Sequence, residues 1–357
     1  MGRHRAALRP APTTGGRTTG HIFCQRHVVQ PKYAFEHEFL ESRMRITEEQ
    51  VRLLALCRIK GASWYFLARE AQQHGIESLW RGEVNELSPE AYKTAQLIKE
   101  HASELDRLTA HARADAQRAF DAGAHLVTVL DDGYPTTLRL IFNLPPFLFV
   151  HGSIGEADLR SVAVVGTRQA SEDGLKRARR MSRLLCERGV TVVSGLARGI
   201  DTAAHTAALE AGGRTIAVIG TGILKCYPKE NKQLAEHITQ NGAVVSQFWP
   251  DAPGATYTFP RRNVTMSGIA QGTVVIEASS TSGAKMQARL AIEHGKKVFL
   301  LRSLTQAQPW AQEYVESRGA MMVDDVDDVA SALSSPDRIQ AVDARRAQLT
   351  LDFGQPG

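Results

Sequence analysis

The chain has 357 residues, of which 43% are hydrophobic and 23% charged, and it carries a formal net charge of +5. That profile fits a globular protein of about two domains and excludes a disordered or fibrous one; no apolar run approaches the roughly 18 residues that a membrane helix needs, and the opening stretch MGRHRAALRPAPTTGGRTTG lacks the apolar core of a secretory signal. The positive excess is concentrated at one end, since residues 1–43 hold seven Lys and Arg against three Glu while the remainder is nearly balanced, so any anion site has to be argued locally.

Residues 1–43 are rich in Arg, Gly, Pro and Thr without sustained periodicity, and they read as disordered. A clean helical pattern, MRITEEQVRLLALCRIKG, begins at Met44, which is the expected physiological start, with the preceding segment an over-extended reading of the gene. Short helices follow to about residue 110. Thr47, with Glu49 and Gln50 behind it, marks one start, Gly61 and Gly75 punctuate the run, and Ser88-Pro89-Glu90 marks another. This predicts a small helical domain over 44–110, of the SAM or helix-hairpin-helix kind. A helix over 111–122 is closed by Gly123, HLVTVLDDGYP gives a strand and a turn, and PPFLFVHG gives a second strand.

From Ser161 the pattern changes. SVAVVGTR, VTVVSG, RTIAVIGTG, AVVSQF, TVVIEA and KVFLL are short β-branched runs with helical stretches between them, the first over 176–188. Strands apolar on both faces that alternate with helices predict an α/β domain over 111–333 with a doubly wound, mainly parallel sheet. Glycines and small polar residues fall at the strand C-terminal ends, where such sheets bind ligands. The tail 334–357 is polar, and a short helix at most followed by a flexible end is expected.

Cys24, Cys57, Cys186 and Cys226 form no C-x-x-C pair, and no H-E-x-x-H spacing occurs among the twelve histidines. Neither a disulfide framework nor a metal site is indicated, no cofactor is expected, and free thiols fit a cytoplasmic protein.

Four strand ends carry candidate chemistry. Gly166-Thr167-Arg168 combines a turn that lets a phosphate approach the backbone with a guanidinium suited to its oxygens. It is not a G-x-G-x-x-G fingerprint, and alone it reads as an ordinary turn with a surface arginine. In SGLARGIDTAAHTAAL, Ser194 and Gly195 offer a hydroxyl and N–H groups and Arg198 a cation, while Asp201 reads as a helix cap with His205 its structural neighbour. In FPRRNVTMSG, Arg261, Arg262 and Asn263 follow a loop containing Trp249 and Tyr257, a mixture suited to single-stranded nucleic acid or to a solvated charge pair. In EASSTSGAKMQARLA, Ser282, Gly283 and Lys285 are placed for a further phosphate, and Glu277 for a ribose hydroxyl or an ion pair with Arg262. Singly these signals are weak; their convergence on one sheet edge argues for an extended phosphate site.

The order VAVVGTR, SGLARGID–AH–AL, GGRTIAVIGTG–YP–N, FPRRN and IEASSTSGA closely resembles the DprA/Smf family (DNA processing protein A), over about residues 44–330. The resemblance implies a Rossmann-like sheet that binds single-stranded DNA, a homodimer, loading of RecA in natural transformation, and no catalytic turnover. It places Arg168, Ser194 and Gly195 in the DNA pocket. The chain departs from the family pattern at Leu224, where Asp is usual, at Gln247 (Glu), at Val264 (Arg), at Ala284 (Ser) and at Gln287 (Thr), and LLRSLTQAQPW lacks the usual Pro-Gly. A diverged sensor in a defence or mobile-element system is the alternative, as is a nucleotide-binding or nucleotide-cleaving Rossmann-like protein, although the P-G-G-x-G-T-x-x-E string of the phosphoribohydrolases is absent. In the tail, Gln348, Leu351 and Phe353 resemble the peptide by which bacterial proteins dock on the replication sliding clamp; packing back on the sheet is the other reading.

Overall fold

In the computed structural model the described residues are 45–353, so the expectations for residues 1–43 and for Met44 lie outside them. Five helices come first: α1 Glu48–Cys57, α2 Trp64–His74, α3 Glu77–Trp80, α4 Pro89–Glu100 and α5 Leu105–Asp121. Their starts have local causes. Thr47 and Gln50 form a reciprocal capping box, and Ser63 and Ser88 cap α2 and α4, the latter with Pro89 in the first turn. The boundary expected at residue 110 falls inside α5. Across it, Gln50 Nε2 donates to Asp131 at 2.8 Å and the Trp64 ring lies 5.2 Å from Phe147, so the helices share a core with the sheet.

The sheet elements then run β1 His125–Thr128, α6 Thr136–Arg139, β2 Phe147–Gly152, β3 Ser161–Val165, α7 Glu172–Glu187, β4 Thr191–Ser194, α8 Ile200–Glu210, β5 Thr215–Val218, α9 Lys232–Gln240, β6 Gly242–Ser246, α10 Thr258–Ile269, β7 Gly272–Val275, α11 Gly283–Glu293, β8 Lys297–Leu301, α12 Arg302–Ala307, α13 Pro309–Ser317, β9 Met321–Val323, α14 Val326–Ala332 and α15 Pro336–Phe353. The strand order is β1-β2-β6-β5-β4-β3-β7-β8-β9. β6 through β9 pair in parallel, while β2 runs antiparallel to both β6 and β1. This is the Rossmann-like, mainly parallel α/β sheet that the strand pattern predicts. β3, β4, β5, β6 and β7 are buried at every position, which is why their sequences are continuous apolar runs and not alternating ones.

Three details differ from expectation. α7 starts at Glu172 because Ser171 caps it through a bond from Gly174 N–H. β9 has no counterpart in the sequence reading; it is three residues long with two exposed methionines, too brief to show a period. The polar tail is not a short helix with a flexible end but an 18-residue helix, α15, favoured by its Ala, Arg, Gln and Leu content. Among the described residues no helix is long and apolar enough to cross a membrane, and no three His, Cys, Asp or Glu side chains gather as a metal site.

The topology fixes where a ligand can sit. From β3 the chain moves outward through β4, β5 and β6, then returns to place β7 on the other side of β3. The loops after β3 and β7 therefore diverge to opposite sides and leave a crevice at the C-terminal sheet edge. The opposite edge is tied by a buried carboxylate. Asp158 accepts from Arg214 Nε and Nη2, both at 2.7 Å, and from Gly155 N–H. Its side chain is 3% exposed. Arg214→Ala leaves that carboxylate buried without its cation and is expected to destabilise the fold by about 3 kcal/mol, whereas Arg183→Ala, at an exposed pair with Glu187, is expected to cost under about 1 kcal/mol. Urea denaturation of the two variants checks the contrast.

Candidate nucleic-acid interface

The crevice is a cleft of about 610 Å³. Of the residues singled out in the sequence, Gly166, Thr167, Arg168, Arg198, Asp201, Arg262, Asn263, Ser282 and Gly283 line it. Phe259, Met266, Met286 and Gln287 complete its wall and were not among the candidates, because apolar and amide side chains inside helices carry no phosphate-binding signature.

The signature turn proves to be a scaffold. Ser194 is fully buried, and its Oγ donates to the Val164 carbonyl at 2.7 Å. Gly195 N–H donates to Asp201 Oδ2 at 3.1 Å, and Ala197 N–H to the same oxygen at 3.3 Å. Neither the Ser194 hydroxyl nor the Gly195 N–H is therefore open to a ligand. Asp201 does not cap its helix from outside either. It sits inside α8 behind Gly199, and its carboxylate clasps the preceding loop, which folds back because Leu196 and Gly199 adopt left-handed backbone angles of 58° and 74°.

Arg262 explains the glycine. Its guanidinium is buried and donates Nη1 to the Val218 carbonyl at 2.8 Å and to the Gly195 carbonyl, with Nε donating to Asn263 Oδ1 at 3.0 Å. A Cβ on residue 195 would lie 2.2 Å from Nη1. The expected Glu277–Arg262 ion pair does not form. Glu277 instead accepts the Ser171 hydroxyl at 2.7 Å and supports the start of α7. Burial lowers the pKa of Arg262 from the arginine range and raises that of Asp201 from the carboxylate range, while each charge favours the other's ionised form. His205 is enclosed beneath them, with Nδ1 2.8 Å from Thr215 Oγ1.

Adjacent arginines part company here, because successive residues on a helix point about 100° apart. Arg262 turns into the core. Arg261 stays outside, 5.7 Å from the Tyr257 ring centroid, and does not line the cleft. Lys285 also stands outside, 5.7 Å from the Trp310 ring. Trp249 is packed between Trp64 and Phe147, so it offers no stacking surface. Ser282 lines the cleft but spends its hydroxyl capping α11 through Ala284 N–H.

What remains facing the cleft is specific. Arg198 is exposed and paired with Glu230. Arg168 is exposed, stands 5.3 Å over the Phe259 ring, and makes no ion pair or hydrogen bond among the described residues. Opposite it, Gly283 opens α11, whose first N–H groups carry the positive end of the helix dipole. Phe259 continues to Tyr227, ring centroids 5.9 Å apart, and Tyr227 is 49% exposed.

Residues 125–334 match the family described as DNA recombination-mediator protein A. The chain belongs to that family. Its relatives include DNA processing protein DprA of Streptococcus pneumoniae, 42% identical over 174 residues, which are 49% of this chain and 61% of that protein. Protein Smf of Escherichia coli is 42% identical over 178 residues, 50% of this chain and 48% of that protein. Protein Smf of Synechocystis is 32% identical over 271 residues, 73% of this chain and 66% of that protein. The chain thus spans about half to two thirds of the length of these relatives. Among solved structures, Streptococcus pneumoniae DprA superposes with a TM-score of 0.65 at 30% identity, covering 82% of this chain and 99% of the other. Helicobacter pylori DNA processing protein A, whose structure is described for its single-stranded DNA binding mode, superposes with a TM-score of 0.53 at 24% identity, covering 59% of this chain and 95% of the other.

The buried histidines give this DprA-family chain a pH dependence. Burial, reinforced by the Arg262 charge, lowers His205 to about 3; burial, reinforced by Lys296, lowers His294 to about 4. In the unfolded chain both titrate near 6.5. Below that pH the unfolded state takes up protons that the folded state refuses, so stability is complete above about 6.5 and declines as pH falls toward 4. The urea midpoint is expected to drop across that window, with the signals of both imidazoles staying at their neutral positions in NMR at pH 5. A flat midpoint, or titration of either ring near 6.5, contradicts the assignment.

Proposed function

We propose that this protein binds single-stranded DNA in the cleft between the β3 and β7 loops and acts in the cytoplasm as a non-catalytic recombination mediator, a homodimer that protects the strand and loads RecA on it. The observation that carries the reading is Arg168. Of the three arginines lining the cleft, Arg262 is committed to backbone carbonyls and Arg198 to Glu230, whereas Arg168 stands free of both kinds of partner among the described residues. It faces the N-terminus of α11, so a phosphate between them meets a guanidinium on one side and helix N–H groups on the other. The aromatic faces of Phe259 and Tyr227 beside it suit unpaired bases, which a duplex would keep stacked inside.

The non-catalytic part rests on Asp201 and His205. They are the carboxylate and imidazole closest to an acid–base pair in the signature stretch, and both are buried and bonded internally. The strand-binding role is tested by fluorescence anisotropy with labelled single-stranded and double-stranded oligonucleotides across a salt series. Preference for the single strand is expected, with affinity that falls as salt rises. Arg168→Ala is expected to weaken binding about tenfold and to reduce the salt slope by about one. A folded protein that binds neither oligonucleotide at low salt overturns the reading.

We infer a sliding-clamp contact through the tail on the motif alone. Gln348, Leu351 and Phe353 belong to the last turns of α15, so docking as an extended peptide requires that end of the helix to unwind. Truncation after Ala347 is expected to abolish capture of the protein by immobilised clamp, and undiminished capture rules the contact out.

A further inference from the structure

Gln287 lies one turn into α11, on the same face as Gly283, and lines the cleft while being 1% exposed. Both its Oε1 and its Nε2 are buried without a hydrogen-bond partner among the described residues. Such a group is costly to keep, and buried side-chain amides are otherwise almost always bonded. The neighbouring polar side chains do not relieve it. Asn263 serves Arg262, and Ser282 serves the helix start. Beside it, Met266 and Met286 give the inner cleft a soft apolar wall suited to a flat ring.

We propose that the inner cleft takes one nucleobase of the bound strand and that the Gln287 carboxamide hydrogen-bonds to its edge, an inference that rests on the single-strand reading above. The chemistry of DNA selects the base. A phosphodiester and a deoxyribose within a strand offer acceptors and no donor, so they satisfy Nε2 and leave Oε1 bare. Only a base carries a donor beside an acceptor, matching the two amide atoms at once. The phosphate belongs instead at the cationic mouth, where Arg168 and the α11 N-terminus lie. Gln287 stands where the family resemblance places a threonine, whose shorter side chain carries a single hydroxyl in place of the paired amide atoms.

The test uses the full chain and two labelled oligonucleotides with identical phosphates. One is oligo-thymidine; the other replaces every thymine with difluorotoluene, a shape mimic that lacks the hydrogen-bonding edge. Wild-type protein is expected to favour the thymine strand about tenfold, the lower part of what a bidentate base contact is worth. Gln287→Met is expected to remove most of that ratio, and Gln287→Leu repeats the comparison with a second apolar side chain. Replacing an unpartnered buried amide also relieves the folded state, so the thermal midpoint of Gln287→Met is expected to rise by roughly 2–4 °C, which verifies folding independently of DNA. A thymine-to-mimic ratio equal in wild type and both variants overturns base reading by Gln287. Failure of wild type to bind either strand at low salt overturns the single-strand reading itself.

Discussion

The cleft depends on a buried arginine. Arg262 brings a full positive charge into the interior at the C-terminal ends of β4 and β5, and burying an ionised group is expensive unless it is bonded and electrically compensated. Gly195 does both jobs. Its carbonyl accepts the guanidinium, and its N–H donates to Asp201, so the residue relays the arginine's charge to a carboxylate that does not touch it directly. One guanidinium thereby ties together the end of β4, the end of β5, α10 and, through Asp201, α8. Those are the elements that form one wall of the cleft. A side chain at 195 would break the contact by collision, which is why the signature requires glycine there.

This network also reassigns the meaning of the signature stretch. Its polar residues look like ligand contacts in one dimension, yet most of their donors and acceptors are consumed inside the fold. The residues left to meet a ligand are the ones with the fewest internal obligations: Arg168, the first N–H groups of α11 and the exposed ring of Tyr227. The scaffold is polar and buried; the contact surface is its sparse rim. Such a division lets a cleft accept many sequences of a strand, because the rim addresses phosphate and ring faces that every nucleotide shares.

Much of the fold is legible in the sequence, and the reason is periodicity. The doubly buried strands read as apolar runs, and the small residues after them mark one sheet edge, so the location of the cleft follows from the strand pattern. Side-chain direction does not follow. Arg261 and Arg262 are neighbours in sequence and lie on opposite sides of the protein surface. Ser194 and Ser282 are both serines at strand or helix ends, and each gives its hydroxyl to the backbone. β9 escapes because three residues carry no period, and α15 because its polar composition suits an exposed helix as well as a flexible tail. Gln287 escapes for a different reason: nothing in a sequence shows that an amide lacks a partner.

The departures from the family pattern are coherent once burial is known. Val264 is 6% exposed and Gln247 2% exposed, and the Gln247 Oε1 accepts the hydroxyl of Thr265, the residue beside Val264. The family resemblance places an arginine and a glutamate at these two positions. Losing only one of them would leave a charge in the interior without its opposite, a cost of several kcal/mol, about 3–5 for a broken buried pair. Losing both replaces two charges with an apolar side chain and a neutral hydrogen bond, which burial tolerates. The chain has thus shed charge from the core behind its cleft while keeping Arg262, whose carbonyl acceptors and distant carboxylate are all in place. The selective retention of that one arginine identifies it as the charge the architecture cannot do without.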